Sequence, residues 1–181
     1  MLEYDLQRVF EHPLSFRFLL PATIVALGSE LTGEAAIDVR WKSSAVDVEH
    51  EDQIVVRWNT TVLKARFAEI EDEVANLRER DENKAERVEL AAVLVAVGLM
   101  AHIEPESRFT QRSSVGTGHD YYLNDHRDEM IEIAGRSEGG LPGLFEEKRL
   151  QSERNPSLRK RWVSVTIFGG RPRNRTEGLH S

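Results

Sequence analysis

The first part of the chain contains short stretches in which apolar and polar side chains alternate, as in strands with one buried face. These stretches are residues 14–20, 37–41, 46–48 and 54–58. Residues 43–44 and 50–52 are suited to tight connections between such strands. We therefore predict a β-rich N-terminal lobe over residues 1–58, with a β-meander over residues 35–58. Such a sheet either covers part of the core or offers a docking surface to a partner protein.

From residue 59 to residue 82 the pattern changes to that of an amphipathic helix. Residues 59–61 can cap the first free amides of a helix. Apolar residues then recur at alternating spacings of four and three, which is a heptad seam. The seam consists of Leu63, Phe67, Ile70, Val74 and Leu77. So short a seam favours a helical arm that packs within the protein over a dimer zipper, although a partner could also dock on residues 63–77.

A second helix is predicted over residues 84–102, after the pattern breaks at residues 81–83. No polar side chain occurs in residues 90–101, as is typical of a helix buried on most sides. Glu89 stands directly before this run. A carboxylate beside so much apolar surface either points to solvent or is paired with a cation.

The rest of the core, within residues 83–170, is predicted to continue as three strands, a helix and a last strand. The strands are expected at residues 108–112, 120–123, 130–134 and 162–168, and the helix at residues 144–154. Gly116 and Gly118 predict a tight turn that exposes Asp120 at the head of the second strand. The polar residues 171–181 are predicted to form a flexible tail.

Composition restricts the chemistry and the compartment. The chain of 181 residues is 40% hydrophobic, enough for one good core, and it contains no cysteine, which excludes disulfides and thiolate metal sites. Its start lacks the basic and apolar segments of a secretion signal, and no apolar run reaches the roughly 18 residues that span a bilayer. We expect a cytoplasmic protein without a membrane segment.

Charge is distributed unevenly along the chain. The net charge is −7, yet residues 148–175 contain nine Lys or Arg and one acid, a local charge of +8. A basic segment of this kind is suited to the phosphate backbone of nucleic acid. The predicted nucleic-acid contacts are Arg154, Arg159, Lys160 and Arg161.

The order helix, strand, strand, strand, helix, strand, with Asp120 at the head of the second strand and Glu132 inside the third, resembles the PD-(D/E)xK nuclease superfamily. The resemblance covers about residues 85–168. It implies a restriction-endonuclease-like core and a Mg²⁺ or Mn²⁺ site formed by the two acids and, from the first helix, Glu89. The chain is also similar to uncharacterised bacterial proteins encoded near phage-defence systems.

The lysine of the family motif should stand two residues after the second acid, where this chain has Ala134. Some members of the superfamily move the lysine to the following helix. The resemblance then implies Lys148 as the catalytic cation, with Gln151 as its helper. If so, Lys148 Nζ should lie within about 4–6 Å of Asp120 or Glu132, and both acids should share one face of the sheet.

Two functions from different classes fit these residues. The first is metal-dependent hydrolysis of DNA or RNA, in which hard oxygen ligands hold Mg²⁺ and a lysine stabilises charge. The second is a catalytically inactive member of the same fold that binds nucleic acid or scaffolds a larger complex. His119 and Asp120 also match the metal-binding dipeptide of HD-domain phosphohydrolases, but that dipeptide lies on helices, which this segment does not favour.

Overall fold

One mixed sheet of eight strands organises the protein, in a computed structural model that describes residues 1–28, 30–43, 45–80, 82, 84–113, 120–125, 127–154 and 158–179. Its strands are β1 (Leu2–Asp5), β2 (Thr32–Lys42), β3 (Glu49–Asn59), β4 (Phe109–Arg112), β5 (Tyr121–Leu123), β6 (Glu129–Arg136), β7 (Lys160–Ile167) and β8 (Arg173–Leu179). The helices are α1 (Leu20–Leu27), α2 (Thr60–Leu63), α3 (Ile70–Glu79), α4 (Lys84–Ile103) and α5 (Leu141–Glu153). The mixed α/β class predicted from the sequence is therefore confirmed.

The strands follow the order β1-β3-β2-β8-β7-β6-β5-β4 across the sheet. β2 and β3 form an antiparallel hairpin, and β4, β5 and β6 pair antiparallel in succession. β6 and β7 are parallel, so the chain must cross over between them, and α5 makes that crossover. Pro142 in the first turn of α5 has its backbone angle already fixed for a helix start.

The two faces of the sheet are covered by different helices. Ile131, Ile133 and Gly135 face the main core, where α1 and α4 pack. Gly135 allows a close approach of α4, because a Cβ atom there would lie 2.1 Å from the Val88 carbonyl oxygen. On the opposite face, Ala134 packs with Leu144 of α5 in a smaller cluster.

The outer part of this second face, over β1, β3 and β2, carries ion pairs between strands. Arg57 binds Glu3 at 2.8 Å and Glu34 at 3.0 Å, and Arg40 binds Glu51 at 2.6 Å. A charged face of this kind is typical of an antiparallel sheet with one side in water.

Several predicted elements of the N-terminal part are confirmed and others are wrong. The strands expected at residues 37–41 and 54–58 lie within β2 and β3. Residues 14–20 instead lead through a 3-10 turn (Arg17–Leu19) into α1, because their buried members also fit a helical spacing. Residues 46–48 belong to the hairpin connection and not to a strand, and residues 50–52 lie inside β3.

The N-terminal strands also join the same sheet as the core, since β2 pairs with β8.

The heptad seam is divided between two helices. Asn59 caps α2 as predicted, with its side chain accepting from the amides of Thr61 at 3.0 Å and Val62 at 3.4 Å. α2 ends at Leu63, and the chain passes through hydrogen-bonded turns before α3 begins at Ile70. The prediction of one continuous helix was therefore wrong. The error arose because the turns keep the apolar residues at spacings of three and four, as a continuous helix would. Seam residues Leu63, Ile70 and Val74 are buried in the main core, as an arm that packs within the protein requires.

The predicted flexible tail is also wrong, because residues 173–179 form β8 between β2 and β7. Asn174 and Thr176 are buried although they are polar. The Asn174 amide donates to Ser164 Oγ at 3.1 Å and to Thr166 Oγ1 at 2.8 Å, and Thr176 Oγ1 donates to Asn174 Oδ1 at 2.8 Å. Because these buried side chains are polar and hydrogen-bond to one another, the sequence of β8 shows no hydrophobic periodicity, and the strand was not predicted.

None of the helices that the structure describes is long and apolar enough to cross a lipid bilayer.

Candidate active site

Asp120 and Glu132 meet where β5 begins. The antiparallel register pairs Tyr121 with Ile131 and Tyr122 with Met130. The Asp120 amide donates to the Ile131 carbonyl at 3.0 Å, so Asp120 departs from this register by one residue and lies against β6. There Asp120 is close enough to Glu132 for its charge to raise the pKa of Glu132. The structure therefore brings the two acids together, as the sequence predicted.

Asp120 is held by the neighbouring strand. Its Oδ2 accepts a hydrogen bond of 2.7 Å from the Ile133 amide. Burial raises the pKa of Asp120 above its ordinary value, and the Ile133 hydrogen bond and the charges of Lys148 and Arg112 oppose that rise. Asp120 is thus a partly buried acid whose orientation is fixed by backbone.

Glu132 is more deeply buried, with 2% of its surface exposed. Burial and then the charge of Asp120 raise the pKa of Glu132 to about 7, against the opposing effect of Lys148. Lys148 Nζ donates to Glu132 Oε1 at 2.7 Å. The two carboxylates thus disfavour each other's ionisation, and a cation between them would relieve the repulsion.

Lys148 reaches the acids from α5, and the distance predicted from the sequence is confirmed. Gln151, one turn further on, accepts a hydrogen bond of 3.1 Å from Lys148 Nζ and so helps to orient it. Ala134 lines the same cleft as Lys148. Ala134 follows Glu132 on the same face, and its methyl group leaves room there for a lysine that comes from the helix.

Asp120 and Lys148 line a cleft of about 620 Å³ at the end of β5, between α4 and α5, and the buried Glu132 reaches it through its bond to Lys148. Glu89 lines this cleft from α4, but its side chain is exposed. Across the described ranges, no three or more His, Asp or Glu side chains are grouped so that they could hold a metal ion. Glu89 therefore does not form a ready-made three-carboxylate site with Asp120 and Glu132, because it lies at the rim rather than beside them.

The cleft also contains charged residues that the sequence did not single out. Arg112 lines it from β4, next to Asp120, and Arg136 lines it from the end of β6. Arg136 lies 3.6 Å from Glu147 of α5. Arg112 looks like an ordinary edge-strand residue in the sequence, and only the pairing of Arg112 with Tyr121 brings it beside the site.

Three of the four predicted nucleic-acid contacts, Arg159, Lys160 and Arg161, form ion pairs within the protein or are buried. Arg159 forms ion pairs with Asp128 and Glu129, and Lys160 lies 3.2 Å from Glu104. Arg161 is buried, with 8% of its surface exposed. These three side chains do not form the open cationic surface that was expected, because acids from other segments pair with Arg159 and Lys160, and Arg161 is buried.

Arg154, at the end of α5, is exposed, and its contact with nucleic acid stays a prediction. The turn at Gly116 and Gly118 and the residue His119 lie outside the described residues.

Comparison of the chain with protein families, with curated proteins and with solved structures finds no match.

Proposed function

We propose that this protein is a metal-dependent nuclease whose active site consists of Asp120, Glu132 and Lys148. The observation that carries the proposal is the meeting of two carboxylates and one ammonium group at the edge of a cleft. Asp120 lies against β6 near Glu132, and Lys148 Nζ lies 2.7 Å from Glu132. Neighbouring carboxyl groups whose pKa values are raised by burial, as those of Asp120 and Glu132 are, are typical of active sites.

The order of elements supports a restriction-endonuclease-like core. α4, β4, β5, β6, α5 and β7 follow one another as in the PD-(D/E)xK superfamily that the sequence resembles. The acids occupy the expected places, one just before β5 and the other within β6. The lysine comes from α5, a variation that the superfamily tolerates.

The two acids fit a hard divalent cation. Among the described residues, their hydrogen bonds to protein use Oδ2 of Asp120 and Oε1 of Glu132, so Oδ1 and Oε2 are the oxygens through which they would hold Mg²⁺ or Mn²⁺. Mg²⁺ keeps several waters and is commonly bound through one or two carboxylates, so a third acid is not required. When bound, such a cation polarises a phosphodiester and lowers the pKa of a water molecule.

Lys148 supplies positive charge on the same side of the sheet. Its ammonium group is oriented by Glu132 and Gln151, and its side chain lines the cleft in which a phosphate would lie. An oriented cation stabilises negative charge that develops on phosphate oxygens during hydrolysis. Gln151 acts through Lys148, which makes it a positioning residue.

The test combines cleavage with metal binding. Purified protein with Mg²⁺ or Mn²⁺ should nick plasmid DNA or cut single-stranded DNA or RNA, and Asp120→Ala and Glu132→Ala should each abolish cleavage. Glu106→Gln, at an exposed acid outside the cleft, is the control and should keep full activity. Cleavage that survives Asp120→Ala would refute the site. Mn²⁺ binding without cleavage of any substrate would instead favour an inactive subunit that binds nucleic acid.

A further inference from the structure

A second cavity lies at the carboxyl ends of the parallel strands β6 and β7. Its volume is about 440 Å³, within the range of small-molecule sites. The loops that follow the two strands form one wall, and α1 and the start of α4 form the other. Ligands of α/β sheets commonly bind just beyond the carboxyl ends of parallel strands.

Three cations surround this cavity. Lys84 and Arg87 come from the start of α4, and Arg173 is the first residue of β8. The lining includes one carboxylate, from Glu138, which is exposed. The balance of three cations against one acid favours an anionic ligand, in contrast to the acidic cleft at Asp120 and Glu132.

Two of the cations are oriented by the backbone. Arg87 Nη1 donates to the Leu77 carbonyl at 2.8 Å, and Arg173 Nη2 donates to the Gly139 carbonyl at 3.1 Å. A guanidinium group has five N–H donors, so each bond leaves donors for a ligand while it limits the freedom of the side chain. Fixed forks of this kind are suited to phosphate.

The loops and the floor restrict the ligand further. Gly139 and Gly170 have positive φ angles of 120° and 66°, and no atom lies within 4 Å of the position of a Cβ at either residue. Backbone without a Cβ can approach a ligand closely. The remaining lining is partly apolar, with Val25 and Ala26 of α1 and Phe168 after β7. A ligand should therefore carry an anionic group and an apolar ring.

We propose that this cavity is a nucleotide site, in which Lys84, Arg87 and Arg173 bind a phosphate monoester and the apolar floor contacts the base. Two kinds of ligand carry such a phosphate monoester: a free nucleotide, and a nucleic-acid strand with a terminal phosphate. The second kind fits the position of the cavity. Arg136 lines the cleft and Ser137, the next residue, lines the cavity, so the cavity adjoins the cleft. Ser137 follows Glu132 by five residues, about 16 Å along a strand.

Binding is measured by calorimetry in EDTA, so that the result does not depend on the nuclease proposal. The probes are AMP, adenosine, and one oligonucleotide with either a 5′-phosphate or a 5′-hydroxyl. AMP should bind at least about tenfold more tightly than adenosine if the phosphate contacts the cations. A preference confined to the 5′-phosphorylated oligonucleotide would identify the strand end as the source.

The variants test whether binding depends on the cations of this cavity or only on the overall charge of the protein. Lys84→Glu should weaken binding of the phosphorylated probe by about tenfold or more, because it places an acid at the rim. Arg173→Gln, which removes the guanidinium group, should weaken it by a similar factor. The matched control is Arg78→Glu, at an exposed arginine of α3 that does not line the cavity, and it should leave binding unchanged. No binding of either phosphorylated probe, or equal losses in Lys84→Glu and Arg78→Glu, would overturn the proposal.

Discussion

Replacement of Glu132 by Gln should remove a pH-dependent cost of folding. Burial and Asp120 raise the pKa of Glu132 to about 7, whereas its ordinary value is 4.5. Well below pH 4.5 the carboxyl group is neutral in the folded and the unfolded protein. As the pH rises from 4.5 towards 7, the unfolded chain loses this proton and the folded protein keeps it, so stability falls with pH over that window.

The magnitude follows from the two pKa values. An interval from 4.5 to about 7 corresponds to roughly 3 kcal/mol, at about 1.36 kcal/mol per pH unit. Between pH 5 and pH 8, a single titrating group with these values loses about 2.5 kcal/mol of stability. The amide introduced by Glu132→Gln does not titrate, and the effect of Lys148 on the carboxyl group is already contained in the pKa of about 7. The difference between wild type and variant therefore isolates the carboxyl group.

The assay is unfolding by urea at pH 5 and pH 8, in EDTA, for wild type, Glu132→Gln and the control Glu106→Gln. From pH 5 to pH 8 the free energy of unfolding of Glu132→Gln should gain about 2.5 kcal/mol relative to wild type. The control should show no comparable change. If the difference between Glu132→Gln and wild type is equal at the two pH values, Glu132 titrates normally and the argument from burial and from Asp120 is wrong.

Three further predictions address the cation, the basic segment and the buried polar ladder. Lys148→Met keeps much of the side-chain volume and should lower turnover by on the order of 100-fold with little change in Mn²⁺ affinity, and an equal loss of both would make Lys148 structural. Arg159→Ala should reduce the free energy of unfolding by about 2 kcal/mol, because it leaves the buried Glu129 without its guanidinium partner. A loss of nucleic-acid affinity at unchanged stability would contradict that account. Asn174→Ala should cost about 2–3 kcal/mol in urea unfolding, because hydroxyl groups on β7 and β8 lose their partner, and an unchanged midpoint would show that water replaces the amide.

The sequence predicted the part of the site that depends on local spacing. Lys148 and Gln151 share a face of α5 because they are three residues apart, and Asp120 and Glu132 lie close together because their segments are neighbours in the chain. The positions that it missed depend on pairing between distant segments. Arg112 enters the cleft through the register of β4 with β5.

The elements of the fold likewise divide into those that local spacing predicted and those that depend on distant segments. α4 and α5 were recognised because their patterns are long or clearly bounded, whereas β8 was not. Its buried polar residues are compatible with burial only because β7 supplies matching hydroxyl groups. Lys160 was expected to contact phosphate, but Glu104, more than fifty residues earlier, lies beside it. Periodicity carries no information about such partners.

The position of β8 has a consequence for the folding kinetics. β8 follows all seven other strands in the chain, yet it is the strand that joins the β1-β3-β2 half of the sheet to the β7-β6-β5-β4 half. Until β8 is in place, β2 and β7 each present an unpaired edge to solvent, and such edges promote association between chains. Pairing of β8 with β2 also closes a loop of more than one hundred residues, which is slow compared with the formation of a hairpin. We therefore expect a late folding step in which β8 joins two preformed halves, and aggregation during refolding should increase with protein concentration at that step.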